Sequence, residues 1–200
     1  MSKIENLSFS EYNKLPFDEN RIAQNFQYTF VREVFKFENC PINIQSEFWY
    51  KVEELKAKTL ARITTISLNS EAAKREVLIA PILLLLFDEF KINFSIEYQL
   101  NIASSLKGKL DYLLEGNQNI VVIEAKKDDF DGGAKQIIPE LIALSDEKNI
   151  NSVYGIVTNG RIWQFYYLDR TSFTIKQDLN LYNFPQEARK LFEILLSILG

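Results

Sequence analysis

From Phe94 to Leu168 the apolar residues of this 200-residue chain leave helical spacing and fall into short alternating or continuous runs, interrupted by one helical stretch. A chain patterned this way folds around a sheet and is not a helical bundle. Phe94-Ser-Ile-Glu-Tyr-Gln-Leu100 alternates as a half-buried strand does, and Leu110 to Leu114 reads as a second strand. Glu115-Gly-Asn-Gln118 is a turn, after which Ile120 to Ile123 forms a wholly apolar strand running into Glu124-Ala125-Lys126. Asp131-Gly132-Gly133 breaks the chain, and Ala134 to Leu144 has helical periodicity. Ser152 to Thr158 is another buried strand. Asn159-Gly160, a strong hairpin signal, joins it to Arg161 to Leu168, and a further strand lies near Phe173 to Lys176.

Helices bracket this block. Phe48 to Leu60 carries Trp49, Val52, Leu55 and Leu60 near helical spacing. Asn69-Ser70-Glu71 offers an N-cap and a first-turn acid, opening a helix from Ala72 to about Phe87. Pro81 should kink that helix, because it has no N–H for the carbonyl of Val77. Pro185 starts a C-terminal amphipathic helix with Leu191, Phe192, Leu195, Leu196 and Leu199 on its apolar side. The order predicts an α/β (α+β) fold with a central mixed β-sheet flanked by helices. Residues 1 to about 45 are polar-aromatic and weakly periodic, with turn signals at Leu15-Pro16 and Cys40-Pro41. Residues 1–68 are therefore expected as a helical or irregular extension on the core, and 69–200 as the main domain.

Composition decides which chemistries remain. The chain has no histidine, which removes histidine-based nucleophile systems, histidine general bases and most transition-metal sites. Its single cysteine, Cys40, excludes a disulfide framework and a cysteine-rich zinc site, and reads most simply as a small buried residue. Carboxylates, lysine, hydroxyls and hard metal ions are left. The longest apolar run, Val77 to Phe87, is too short to span a bilayer, and no leader pattern is visible, so the expectation is a cytoplasmic protein without membrane contact. A net charge of −4 means that any polyanion partner would have to meet a local basic patch.

Four acid-any-lysine triplets begin at Glu54, Glu89, Glu124 and Asp146. About one is expected by chance in a chain of this length, so the triplet alone carries nothing. Only Glu124 and Lys126 extend a buried strand, where residues two apart share a face. The turn at 115–118 brings Asp111 opposite the region of Glu124, and two carboxylates meeting there would repel unless a divalent cation stood between them. Glu71, or its neighbour Glu76, supplies a third acid. The set suits a mechanism without histidine. Asp111, Glu124 and the Ala125 carbonyl would hold Mg²⁺, Lys126 would orient or help deprotonate a water, and Glu71 would bind a second metal or orient a metal water.

The stretch Gly108-Lys-Leu-Asp111-Tyr-Leu-Leu followed by Val121-Val-Ile-Glu-Ala-Lys126 resembles motifs II and III of the PD-(D/E)XK nuclease superfamily. It is most similar to the N-terminal nuclease domain of type I restriction enzyme R subunits. Ser70-Glu71-Ala-Ala-Lys-Arg75-Glu-Val-Leu-Ile79-Ala-Pro81 resembles that family's motif I helix and so favours Glu71 over Glu76. Ala134-Lys-Gln136-Ile-Ile-Pro-Glu140-Leu resembles the following helix, where a Gln near the site is implied, and Val153 to Phe165 resembles the closing hairpin. The likeness spans roughly residues 69–168. It departs where Leu110, not Pro, precedes Asp111, and residues 1–60 resemble nothing in the family. It implies a restriction-endonuclease-like core and a metal-dependent endonuclease hydrolysing DNA, with Mg²⁺ or substituting Mn²⁺, in restriction or phage defence. A homodimer or a larger defence complex is the partner expectation.

Bland alternatives stand beside these readings. Lys107, Lys109, Lys127 and Lys135 would form a phosphate-binding rim or only a solvated basic face, and Asp128, Asp129 and Asp131 count against the rim. Gln136 needs no explanation on an exposed helix, and the alternative role for Glu71 is helix N-terminal charge complementation. Trp163, Phe165 and Tyr167 read as core more than as base-stacking platforms. A catalytically inactive module binding nucleic acid or a protein is the alternative function, and RNA the alternative substrate.

Overall fold

The run Ile120 to Ile123 has no polar face to give to water, so it belongs at the centre of a sheet covered on both sides. That is its place in the computed structural model, which describes residues 6–38, 44–117 and 119–200. Strands β1 (Thr29–Glu33), β2 (Asn93–Ala103), β3 (Leu106–Glu115), β4 (Ile120–Ala125), β5 (Ser152–Thr158), β6 (Ile162–Asp169), β7 (Thr174–Asp178) and β8 (Tyr182–Asn183) form one eight-stranded sheet. Its order is β1-β7-β6-β5-β4-β3-β2, with β8 on β6. The β4–β5 and β1–β7 pairs are parallel and the others antiparallel, so the sheet is mixed as expected.

Alternation along β4 sends Val121 and Ile123 to one core and Val122 to the other. The first core lies under helices α3 (Ser46–Thr65), α5 (Ala80–Phe90) and α7 (Ala188–Leu199). The second lies under α1 (Phe9–Tyr12), α2 (Glu19–Asn25) and α6 (Phe130–Lys148). Helices thus cover both faces. Among the described residues, no helix is long and apolar enough to cross a membrane.

The N-terminal expectation needs correction. Thr29 to Glu33 is a strand of the sheet, paired with β7 from Thr29–Thr174 to Glu33–Asp178, and Phe9, Tyr12 and Phe48 are core residues. The strand was hidden because only Phe30 of β1 is buried, which leaves no alternation to read. Cys40, the Cys40-Pro41 turn and Gln118 lie outside the described residues.

Gly132 and Gly133 do not break the chain; they lie in the first turn of α6. The Asp129 side chain caps that turn, accepting from the Gly132 N–H at 2.8 Å. A Cβ at Gly133 would stand 2.5 Å from Val157 Cγ1, so glycine lets α6 lie close on β5. The distortion expected from Pro81 is a π-turn at Arg75–Ile79, joining α4 (Glu71–Lys74) to α5, with the Ala80 N–H donating to the Arg75 carbonyl. Helix α7 opens at Ala188, a turn after Pro185, and buries all five apolar residues expected of it.

The β5–β6 hairpin turns at Asn159-Gly160-Arg161, where Asn159 Oδ1 accepts from the Arg161 and Ile162 N–H groups at 3.0 and 2.9 Å. Gly160 has φ 81, and a Cβ there would meet Leu78 Cβ at 2.4 Å.

Candidate active site

The β3–β4 hairpin sets the geometry. Tyr112 pairs with Ile123, and one step on the Ala125 N–H donates to Asp111 Oδ2 at 2.8 Å, so Asp111 stands beside Glu124. Glu124 and Lys126 share the α6 side of the sheet. Lys126 Nζ lies 2.5 Å from Glu124 Oε1 and donates to Gln136 Oε1 at 2.9 Å. Gln136 Nε2 in turn donates to Glu140 Oε1 at 2.9 Å. A polar chain therefore runs from the end of β4 into α6, a helix otherwise packed with apolar side chains. Glu124 is 2% exposed and Glu140 fully buried, and each has its Oε2 buried without a hydrogen-bond partner.

On the other side of Asp111 the β2–β3 ladder skips the position where Glu97 would pair with it, and Glu97 has φ 54. A non-glycine residue in that region is uncommon and collects at functional or strained places. Arg75, on the π-turn, places Nη1 3.1 Å from Asp111 Oδ1 and 4.0 Å from Glu97 Oε1. Its guanidinium lies over the Tyr112 ring at 5.2 Å, while Lys109 holds Glu97 Oε2 at 3.0 Å. Nearby, Lys74 binds the Lys127 carbonyl and Asp128 Oδ1, tying the segment after β4 to α4.

Burial dominates the acids' ionisation. It pushes the Glu124 carboxyl up to about 8, with the Asp111 charge adding and Lys126 opposing. Glu140 is raised by burial and by Glu124. Asp111 is also raised by burial, although the Ala125 N–H and Arg75 hold it back, and Glu71 is raised by burial against the pull of Lys126. For Lys126 burial works against the ammonium, but the Glu124 carboxylate more than offsets it and the group is raised.

Glu71, Asp111, Glu124, Lys126 and Gln136 all line one cleft of about 450 Å³, together with Ser8, Ser10, Gln99, Gly108 and Lys109. The five side chains singled out from the sequence are thus brought together. At Ala125 the contact made to Asp111 is through the N–H. Of the four lysines, Lys109 alone lines the cleft. Lys107 is bridged through its backbone to Ser8, Lys135 donates to the Leu15 carbonyl at 3.2 Å, and the Lys127 side chain is exposed. Sequence reasoning missed Arg75 and Glu140, although each follows a named residue, Glu71 and Gln136, by the helical interval that places side chains on one face. For Ser8 and Ser10 no signal existed, since their place depends on α1 meeting β3. Among the described residues no three acidic or sulfur side chains stand close enough, as placed, to cage a cation.

Fold and cleft define a mixed α/β protein with an acid–lysine cluster at the carboxyl end of a parallel strand pair, a usual place for ligands in such sheets. No family profile matches the chain. It is similar to Crinkler effector protein 5 of Phytophthora infestans, 26% identical over 152 residues that take in 74% of this chain and 41% of that protein. The chain therefore spans about two fifths of that relative's length.

Proposed function

We propose that this chain has a restriction-endonuclease-like core and is a metal-dependent endonuclease that hydrolyses phosphodiester bonds in DNA, in a restriction or defence setting. One observation carries the reading: Asp111, Glu124 and Lys126 stand side by side in a cleft with Glu71 and Gln136, and Glu124 Oε2 is buried there without a partner. An orphaned carboxylate oxygen beside a second carboxylate fits a hard divalent cation, and the donors at hand are oxygens. Asp111, Glu124 and the Ala125 carbonyl would hold Mg²⁺ or Mn²⁺, with Glu71 as the outer acid. Such an ion, when bound, supplies positive charge at a phosphoryl oxygen and an acidified water.

The chain's own groups do the rest. Lys126, whose ammonium form is favoured once Glu124 is ionised, is suited to orienting a water or a phosphoryl oxygen and to stabilising developing negative charge. Gln136, bridged to the buried Glu140, fixes the direction of Lys126. The similarity to part of an effector protein is compatible with a unit that works joined to other segments.

A second reading, a module that binds nucleic acid or a protein without cleaving, is favoured by the cleft's single rim lysine and the net charge of −4. Incubation of duplex DNA, single-stranded DNA and RNA with Mg²⁺, Mn²⁺ or EDTA tests both. The expected result is cation-dependent cleavage of DNA, reduced by at least ~10²-fold in Asp111→Asn and Lys126→Ala. Cleavage that survives EDTA, or variants matching wild type, would sink the nuclease reading. Binding without cleavage would favour the second.

A further inference from the structure

Arg75 is a charged group at the cleft with no part in the reaction described above. Its guanidinium takes Asp111 Oδ1 at 3.1 Å, while the Ala125 N–H takes Oδ2 at 2.8 Å. One oxygen of Asp111 is thus ion-paired and the other hydrogen-bonded, and a full positive charge sits where a divalent ion would feel it most strongly. The same guanidinium has a second acceptor within a short movement: Glu97 Oε1 lies 4.0 Å from Nη1. Glu97 is held at that place by a left-handed backbone, a skipped ladder position opposite Asp111 and Lys109 on its other oxygen. The Tyr112 ring under the guanidinium gives it a surface along which to shift.

We propose that Arg75 is the resident counter-ion of Asp111, displaced toward Glu97 when a divalent cation binds, so that the Arg75–Asp111 pair sets the cation affinity of the cleft. This rests on the metal-dependent reading above. Asp111 meets the cleft as a charge-compensated residue, and a cation must replace one positive partner with another. Glu97 holds the displaced guanidinium close by, which limits the penalty of the exchange.

Mn²⁺ titration of the whole chain at pH 8, followed by calorimetry and by the rise in unfolding temperature, tests this alongside the cleavage assay. Arg75→Gln should bind Mn²⁺ about tenfold more tightly than wild type, Arg75→Lys should lie between them, and Glu97→Gln should bind more weakly. Asp111→Asn should lose the site. Far-ultraviolet circular dichroism and a cooperative melt establish that each variant is folded. Unchanged or weaker binding in both folded Arg75 variants would overturn the inference while leaving cleavage, and so the nuclease reading, intact. Tighter binding in Arg75→Gln without cleavage by any variant would support the inference and sink the nuclease. Absence of Mn²⁺ binding in wild type and Arg75→Gln alike would overturn both.

Discussion

A carboxyl sealed among Asp111, Glu140 and Lys126 binds its proton more tightly in the folded chain than in the unfolded one, and Glu124 is so placed. At this position the folded chain keeps a proton that the unfolded chain has lost, from about 4.5 up to about 8. The stabilisation from this group is therefore fully present below that window and is lost as pH rises through it. Denaturant unfolding of the cation-free protein should show stability declining from pH 5 to pH 8, and Glu124→Gln should flatten the profile. A wild-type profile that rises across this range would contradict the assignment. At this scale the sequence was informative where a two-residue period and a turn sufficed: Glu124, Lys126 and Asp111 follow from β4 and its hairpin. Arg75 and Glu140 were legible in principle as helical neighbours of Glu71 and Gln136, but a charge on a helix is ordinarily solvated. Only the burial of Glu140 and the pairing of a half-buried Arg75 with Asp111 show otherwise.

Helix α6 is the element on which pattern and packing disagree. Glycine pairs ordinarily end helices, and Gly132-Gly133 reads as a break for that reason. Tertiary contact reverses it, because Gly133 faces Val157 Cγ1 and Lys126 Cγ at distances that leave no room for a methyl group. Helix propensity alone predicts that Gly133→Ala stabilises by up to about 1 kcal/mol. The packing predicts the opposite sign, a loss of about 1–3 kcal/mol in thermal or denaturant unfolding, as α6 is pushed off β5. Stabilisation by Gly133→Ala would show that the close approach is not real. The long helix from Glu71 tells a complementary story. Pro81 announced a distortion, but not that it would become a π-turn carrying Arg75 to Asp111.

Across the whole molecule, fold class was the legible part and sheet order was not. Periodicity identified the strands around α6, yet nothing local in Thr29 to Glu33 says that it lies beside Thr174 to Asp178. The N-terminal segment is likewise structural. Phe9 is 1% exposed, and its ring sits where a Cβ on Gly108, at φ 146, would come within 2.8 Å. Phe9→Ala should cost about 3–5 kcal/mol in denaturant unfolding, the range for a buried aromatic truncated in a core. A cost below about 1 kcal/mol would mean that residues 1–68 are an appendage after all. Since Ser8 and Ser10 line the cleft, the same variant should also alter the site's rim.

The β1–β7 pairing also has a temporal side. Thr29 leaves the ribosome 145 residues before its partner Thr174. At about 5–20 residues per second that interval is on the order of 10 s. The hairpin of β3 and β4 and the following helix, with Asp111, Glu124, Lys126 and Gln136, emerge within it. The acid–lysine cluster can therefore gather on a nascent chain whose outermost strand still has nothing to pair with. Release or stalling before Thr174 would leave Phe30 and the outer edge of β6 bare, so interrupted synthesis of this protein should yield aggregation-prone chains sooner than shortened working ones.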